Sequence, residues 1–289
     1  MSEAWTQTLA DEAHRNVTLA LHEDLRLGPD VTTDATVPSD AVGTALVVAR
    51  EAGVIAGVPV AVEVLAQVAA KLRVDATARV LLTDGSRVAP GEAVLEVSGQ
   101  LRCLLTAERT LLNFLGQLSG VASATAAWVE AVEGTGAAIR DSRKTVPGLR
   151  ALQKYAVVCG GGQNHRMALG DAALIKDNHV AAAGSVAAAF KAVRRHSPSV
   201  AVEVECDTLE QVDEAIAVGA DLVLLDNFNT ADTATAVARC RAAGVRTEAS
   251  GGLTLERARE VAETGVDYLA VGALTHSSRV LDLGLDLQA

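Results

Sequence analysis

Aromatic side chains are almost missing from this sequence. Among 289 residues there are two Trp, two Tyr and three Phe, although 49% of the chain is apolar. The core must therefore be assembled from Ala, Val and Leu, and few ring platforms exist for stacking single-stranded nucleic acid. Positive charge is also short. The 25 Lys and Arg face 36 Asp and Glu, giving a net charge of −11 and a pI near 5.0. Such a surface repels phosphate backbones and anionic lipid, so neither nucleic acid nor membrane is expected as a partner. No apolar run approaches the ~18 residues of a membrane span. The polar opening MSEAWTQTLADEAHRN lacks the apolar stretch of a signal peptide. The four cysteines, Cys103, Cys159, Cys206 and Cys240, form no C-x-x-C pair and sit mostly among apolar neighbours. Buried, reduced thiols in a soluble cytoplasmic protein are the expectation.

What is present is a rhythm. In the second half, short apolar runs each carry a polar residue or glycine near their end: AAIRDSRK with Lys144, AALIKDNH with Lys176, VAVEVECD with Glu205, LVLLDNF with Asp226, RTEASGG with Ser250 and YLAVGAL with Gly272. Most are followed by a helical pattern. Thr208 and Gln211 are spaced as a capping box, Gly219, Gly244 and Gly265 are placed to end helices, and Thr254 is placed to open one. Repeated βα units of this length predict a parallel sheet buried on both faces, closed into a barrel or doubly wound. The barrel is preferred, because its active sites are built from the carboxyl ends of the strands.

The first half reads differently. TALVVAREAGVIAGVPVAVEVLAQVA predicts strand, glycine turn and helix, and ARVLLTDGSRVAPGEAVLEVSG predicts strands joined by Asp-Gly and Pro-Gly turns. Leucines at 101, 104, 105, 111, 112, 115 and 118 form a helical stripe, and a second helix is expected from about Gly120 to Val132. The fold class is α/β: an N-terminal mixed α/β domain joined to a barrel.

One segment breaks the acidic trend. Between Arg140 and Asn178 lie seven Lys or Arg and three Asp. Arg143 and Lys144 follow a predicted strand, Lys176 lies on the next, and His165 and Arg166 come just after Gly160-Gly161-Gly162. Three successive glycines cost backbone entropy unless the chain must bend there or approach something closely. In a barrel these side chains meet at one mouth and suit a ligand with two carboxylates, or a carboxylate and a phosphate. A solvated face of weak ion pairs is the plain alternative. Glu205 and Asp226 end adjacent predicted strands. They can hold Mg2+, accept from sugar hydroxyls, or simply balance the cations. Glu203 shares a strand face with Glu205. Ser250-Gly251-Gly252 and Gly272-Ala273, with His276 beyond, are candidate phosphate turns or ordinary tight turns. Zinc, a P-loop and a serine triad are not supported by the spacing of these residues. His14, His22 and His196 are expected on the surface or at caps. A Schiff-base aldolase using Lys144 or Lys176 and a dicarboxylate-binding protein remain open on the residues alone.

The run DSRKTVPGLRALQKYAVVCGGGQNHRMALGDAALIKDNH resembles the signature of the quinolinate phosphoribosyltransferase family. EDLRLGPDVTT, LLTAERTLLNFLGQLSG, LLDNF, SGG and DYLAVGALTHS are similar to further blocks of that family, in order from about residue 23 to the C-terminus. The resemblance implies an N-terminal α/β domain over 1–115 and an incomplete, open α/β barrel of TIM type over 116–277, with 278–289 returning to the first domain. It implies transfer of phosphoribosyl from 5-phosphoribosyl 1-diphosphate to quinolinate with Mg2+, giving nicotinate mononucleotide, diphosphate and CO2 on the de novo route to NAD. A relative of the same fold acting on another acceptor ring is the alternative. By the same resemblance Arg143, His165, Arg166 and Lys176 hold quinolinate, with Arg109 supplied by the neighbouring subunit of a homodimer. Lys144 lies near the diphosphate and the reacting centre, Glu205 and Asp226 near the ribose and metal, and Ser250, Gly251, Gly272 and His276 around the 5-phosphate. Cys206 departs from the acid or Thr expected after Glu205.

Overall fold

The computed structural model describes residues 5–288, so the first four residues of the expected N-terminal domain and Ala289 at the end of the returning segment lie outside it. The chain forms two compact units. The first runs up to Ala126 and also takes 145–161 and the chain from Leu274 onward; the second comprises 127–144 and 162–273.

In the first unit, α1 (Gln7–Leu25) and α2 (Val31–Thr36) precede β1 (Val42–Ala49), β2 (Gly53–Val54), α3 (Val58–Leu72), β3 (Ala76–Val80), β4 (Arg87–Val88) and β5 (Ala93–Gln100). The predicted order of strand, glycine turn and helix is found: Gly57, in the left-handed region at φ +97°, opens α3 with Pro59 in its first turn. Asp84 accepts from the Val58 N–H at 2.9 Å and from the Tyr155 hydroxyl at 2.6 Å, so one half-buried carboxylate serves that helix start.

The helix α4 (Leu101–Ala131) is continuous for 31 residues, where two helices broken near Gly120 were expected. The reason is tertiary. A Cβ at Gly120 would collide with the backbone carbonyl of Arg279, and one at Gly116 would lie 2.8 Å from the Leu281 carbonyl oxygen. These glycines admit the returning C-terminal segment against the helix instead of ending it.

The remaining elements are β6 (Ala138–Arg140), α5 (Arg150–Cys159), β7 (Ala173–Ile175), α6 (Asp177–Ala183), α7 (Val186–His196), β8 (Val202–Cys206), α8 (Leu209–Val218), β9 (Leu222–Asp226), α9 (Thr230–Ala242), β10 (Arg246–Ser250), a 3-10 turn at Leu255–Arg257, α10 (Ala258–Ala262), β11 (Tyr268–Ala270), α11 (Ala273–His276) and β12 (Leu283–Leu287). The antiparallel sheet of the first unit has the order β12-β1-β5-β3, with β12 brought back beside β1 from the far end of the sequence.

The second unit is built on a six-stranded parallel sheet, order β6-β11-β10-β9-β8-β7. The two outer strands do not pair with each other, so this α/β barrel is open. The helix signals around α8 hold, and the one at Thr254 does not. Thr208 and Gln211 form a reciprocal capping box on α8, and Gly219 closes that helix in the left-handed region. Thr254 makes no side-chain cap; a 3-10 turn intervenes before α10. Among the described residues no helix is long and apolar enough to cross a membrane.

Two strands of this sheet, β8 and β10, alternate more strictly than a sheet buried on both faces requires, whereas β9 is apolar on both faces up to Asp226. In β8, Val202, Val204 and Cys206 point to one side, Glu203 and Glu205 to the other. The registers pair Leu174 with Glu203, Glu205 with Leu224, Leu224 with Glu248, Asp226 with Ser250, and Ala270 with Arg140. Residues level in a parallel sheet share a face. Arg140, Lys176, Glu203, Glu205, Asp226, Glu248 and Ser250 therefore share one face. The opposite face presents Ile175, Val202, Val204, Val223 and Leu225, packed under Phe190 of α7, Val212 of α8 and Ala236 of α9. Each such Val or Leu contributes about 1.5–3 kcal/mol on burial.

Candidate active site

The polar face of the sheet has two tiers. In the deeper one, Arg140 ends β6 and donates from Nη1 to Glu248 Oε2 at 2.7 Å, with its guanidinium 4.5 Å from the centre of the Tyr268 ring. His165 Nε2 lies 2.7 Å from Glu203 Oε2 and 3.4 Å from Glu248 Oε1. The Arg166 backbone N–H donates to His165 Nδ1 at 2.7 Å, so Nε2 carries the proton given to Glu203. Both ring nitrogens are thus engaged inside the protein, and the side chain is 8% exposed. His165 is positioned to set the backbone of Arg166. Burial first, and then the neighbouring Glu203, push the Glu248 carboxyl up to about 7, against the pull of His165 and Arg140. Glu203 Oε1 and Glu248 Oε1 are both buried without a hydrogen-bond partner.

The loop carrying His165 and Arg166 is pinned by Asp141, which is fully buried. Asp141 accepts from Asn164 Nδ2 at 2.6 Å and from the His165 N–H at 2.9 Å. Gln163 bridges β6 in strand fashion, its N–H donating to the Ile139 carbonyl at 2.8 Å. The preceding glycines serve both purposes their run suggested. A Cβ at Gly160 would strike the Ala122 carbonyl, and Gly161 has φ +88°.

The outer tier is the rim. Lys176 leaves β7 and pairs through Nζ with Glu205 at the end of β8. Burial and then the like charge of Arg143 hold the Arg166 guanidinium below its ordinary range. Arg166 Nη1 donates to the Ala172 carbonyl at 3.0 Å, whereas Arg143 Nε is buried with no hydrogen-bond partner among the described residues. Two neighbouring guanidiniums, one with an unanswered buried donor, form a site short of anion. Burial, then the negative charge of Asp207, push the Asp226 carboxyl above the usual range, while Lys176 and Lys144 pull it back. Lys144 itself is exposed, its N–H held by Ser142 Oγ at 3.1 Å.

Ser250 ends β10 level with Asp226, and Gly251 turns away at φ +82°. Gly272 follows β11. Of the remaining sequence candidates, Arg109 is exposed on α4, and His276 closes α11 with Nδ1 2.6 Å from Ser277 Oγ; both belong to the first unit. All four cysteines are free. Burial pushes the thiol of Cys206 up to about 12, so it is no nucleophile.

Sequence reasoning missed Arg140, Asp141 and Glu248. A signal for Glu248 existed: it stands two residues before Ser250 on one strand, as Glu203 stands before Glu205.

Comparison with known proteins agrees over most of the chain. Residues 30–119 match the model of the quinolinate phosphoribosyl transferase N-terminal domain, and residues 121–286 match that of its C-terminal domain. A nicotinate-nucleotide pyrophosphorylase [carboxylating] of Mycobacterium leprae is 58% identical over 281 residues, covering 96% of this chain and 98% of its own. A quinolinate phosphoribosyltransferase [decarboxylating] of Nicotiana tabacum is 36% identical, covering 94% and 81%. The solved nicotinate-nucleotide pyrophosphorylase of Francisella tularensis superposes with a TM-score of 0.91 at 38% identity over 96% of each chain.

Proposed function

The chain belongs to the quinolinate phosphoribosyltransferase family and carries out its reaction, transferring phosphoribosyl from 5-phosphoribosyl 1-diphosphate to quinolinate with decarboxylation; we propose that the rim of the parallel sheet divides this work between two ends. Arg143, Arg166 and Lys176, beside β6 and β7, take the dicarboxylate. Lys144, Glu205, Asp226, Ser250, Gly251 and Gly272 serve the ribosyl donor. The observation that carries this reading is the buried, unpartnered Arg143 Nε beside Arg166. A buried donor of that kind is costly until an anion accepts from it.

The chemistry uses the arrangement directly. Breaking the bond between the anomeric carbon and the diphosphate oxygen leaves positive charge on the sugar and negative charge on the leaving group. Asp226 and Glu205 are placed to stabilise the first, and Lys144 the second, without reorganisation during the step. The arginines hold the pyridine nitrogen toward the anomeric carbon, so that a bimolecular attack becomes a local one. Once bonded, the nitrogen is cationic. The adjacent carboxylate then leaves as CO2, its bonding pair stays on the ring carbon, and that carbon takes a proton. His165, held on both nitrogens, keeps Arg166 in place throughout.

A divalent cation fits the acidic end. Asp226 and Glu205 supply oxygen donors, and the mutual repulsion of Asp226 and Asp207 is what a bound Mg2+ would relieve. Mg2+ there would neutralise charge on the diphosphate. We also place Arg109, exposed on α4, in the quinolinate pocket of a partner subunit, and the enzyme in the cytoplasm, where four free thiols stay reduced.

The deciding assay is release of CO2 and diphosphate with quinolinate against nicotinate as acceptor. Release with quinolinate only is expected; equal turnover of nicotinate would overturn the acceptor assignment. For the shared pocket, Arg109→Ala protein mixed with Lys144→Ala protein should regain activity, because a mixed dimer has one intact site. Verified subunit exchange without recovery would remove Arg109 from the site.

A further inference from the structure

Two non-glycine residues among those described have positive φ. Arg73, at φ 58°, closes α3 and is explained as a left-handed helix cap. Asn227, at φ 57°, follows a strand, where no helix end requires that conformation. Left-handed backbone costs a residue other than glycine roughly 1–2 kcal/mol, and Asn tolerates it better than most. Glycine would carry no such cost, so what Asn adds at this position is its side-chain contacts.

Those contacts join two parts of the donor end. The Asn227 N–H donates to the Ser250 carbonyl at 2.9 Å. Its Nδ2 donates to Asp226 Oδ2 at 2.7 Å. Its amide also fills the space over Gly251, where a Cβ would lie 2.6 Å from Asn227 Cγ and closer still to Oδ1. One strained residue thus grips the acid that ends β9 and the glycine turn that ends β10, on strands already paired at Asp226 and Ser250.

We propose that Asn227 is a positioning residue for the phosphoribosyl donor. It aims the Asp226 carboxylate while keeping the Ser250-Gly251 turn in the shape that receives a phosphate, so the ribose and phosphate contacts are set together. The inference rests on assigning these residues to the donor. Asn227 does not ionise, so its role is geometric.

Steady-state kinetics with thermal unfolding of the intact enzyme tests this. Asn227→Gly accepts the left-handed backbone and removes both side-chain contacts. Its melting temperature should equal or exceed that of the wild type. Its KM for 5-phosphoribosyl 1-diphosphate should rise roughly tenfold with a fall in kcat, as for a lost hydrogen bond to a charged group, while the quinolinate KM stays within about twofold, since distant sites act independently. Asn227→Asp keeps the shape but sets a second negative charge against Asp226, and the donor defect should be larger. Gly251→Ala should show the same donor-specific defect and lose less in the Asn227→Gly background, which removes the clash with the Asn227 amide and leaves the contact with its backbone N at 2.9 Å. Wild-type donor kinetics in Asn227→Gly, equal damage to both substrates, or additive effects in the double variant would each overturn the proposal. A wild-type enzyme inactive with quinolinate would instead remove the functional reading beneath it.

Discussion

The two faces of the six-stranded sheet are made by the same short strands, yet they answer to different requirements. On one face Val204, Val223 and Leu225 lie under helices and are wholly or almost wholly buried. On the other, one residue along, stand Glu203, Glu205, Asp226 and Glu248. The apolar face gains free energy in proportion to the area removed from water. The charged face does the opposite before substrate arrives: carboxyls at Asp226 and Glu248 are raised, Arg166 is depressed, and Arg143 Nε is unanswered. Stability is concentrated on one face of the sheet and unmet charge on the other, which is the physical form of a stability–activity trade.

Adjacent residues can break that contrast. Asp226→Asn should lower kcat/KM by about 10²–10³, the scale of removing one preorganised electrostatic partner. Because the folded carboxyl lies above its ordinary range, its ionised form costs stability above the unfolded value. The variant's melting temperature near neutral pH should therefore be unchanged or higher. A large loss of stability would show that Asp226 belongs to the folding side after all. Its neighbour Leu225, 1% exposed on the apolar face, should behave inversely. Leu225→Ala is expected to lose about 2–5 kcal/mol in urea unfolding, with both KM values retained in the protein that remains folded.

The deeper tier sharpens the comparison through pH. Glu248 titrates near 7 in the fold against an ordinary 4.5. Its contribution is most favourable below 4.5, declines as pH rises toward 7, and stays unfavourable above. The wild-type urea midpoint should fall between about pH 5 and pH 8, and Glu248→Gln should fall less over that interval. Parallel slopes would place the proton elsewhere. The smallest effect is expected at the start of α8, just past the end of β8. Thr208→Ala removes half of the α8 capping box and should cost about 1 kcal/mol, with unaltered kinetics.

Much of this was legible along the chain because it is local. Gly219 as a left-handed cap, the Thr208–Gln211 box, the Pro-Gly and Asp-Gly turns, and the βα rhythm all depend on neighbours within a few residues. The polar residues at strand ends were legible too, since a period of two and the end of an apolar run place Lys176, Glu205, Asp226 and Ser250. Local signals misread α4, where Gly120 looked like a break. The glycine's task there is set by the Arg279 carbonyl, 159 residues later in the sequence.

By itself, then, the sequence determined the alternating βα units, the helix ends, the aliphatic core and the family signature, all written in spacing and residue type. Only the tertiary structure decided that Arg140, His165, Glu203 and Glu248 share one buried network, that Asp226 is tied to Gly251 through Asn227, and that α4 runs unbroken. Strand register and long-range approach fix those relations. They are the sum of packing over the whole unit, and no window of neighbouring residues contains them.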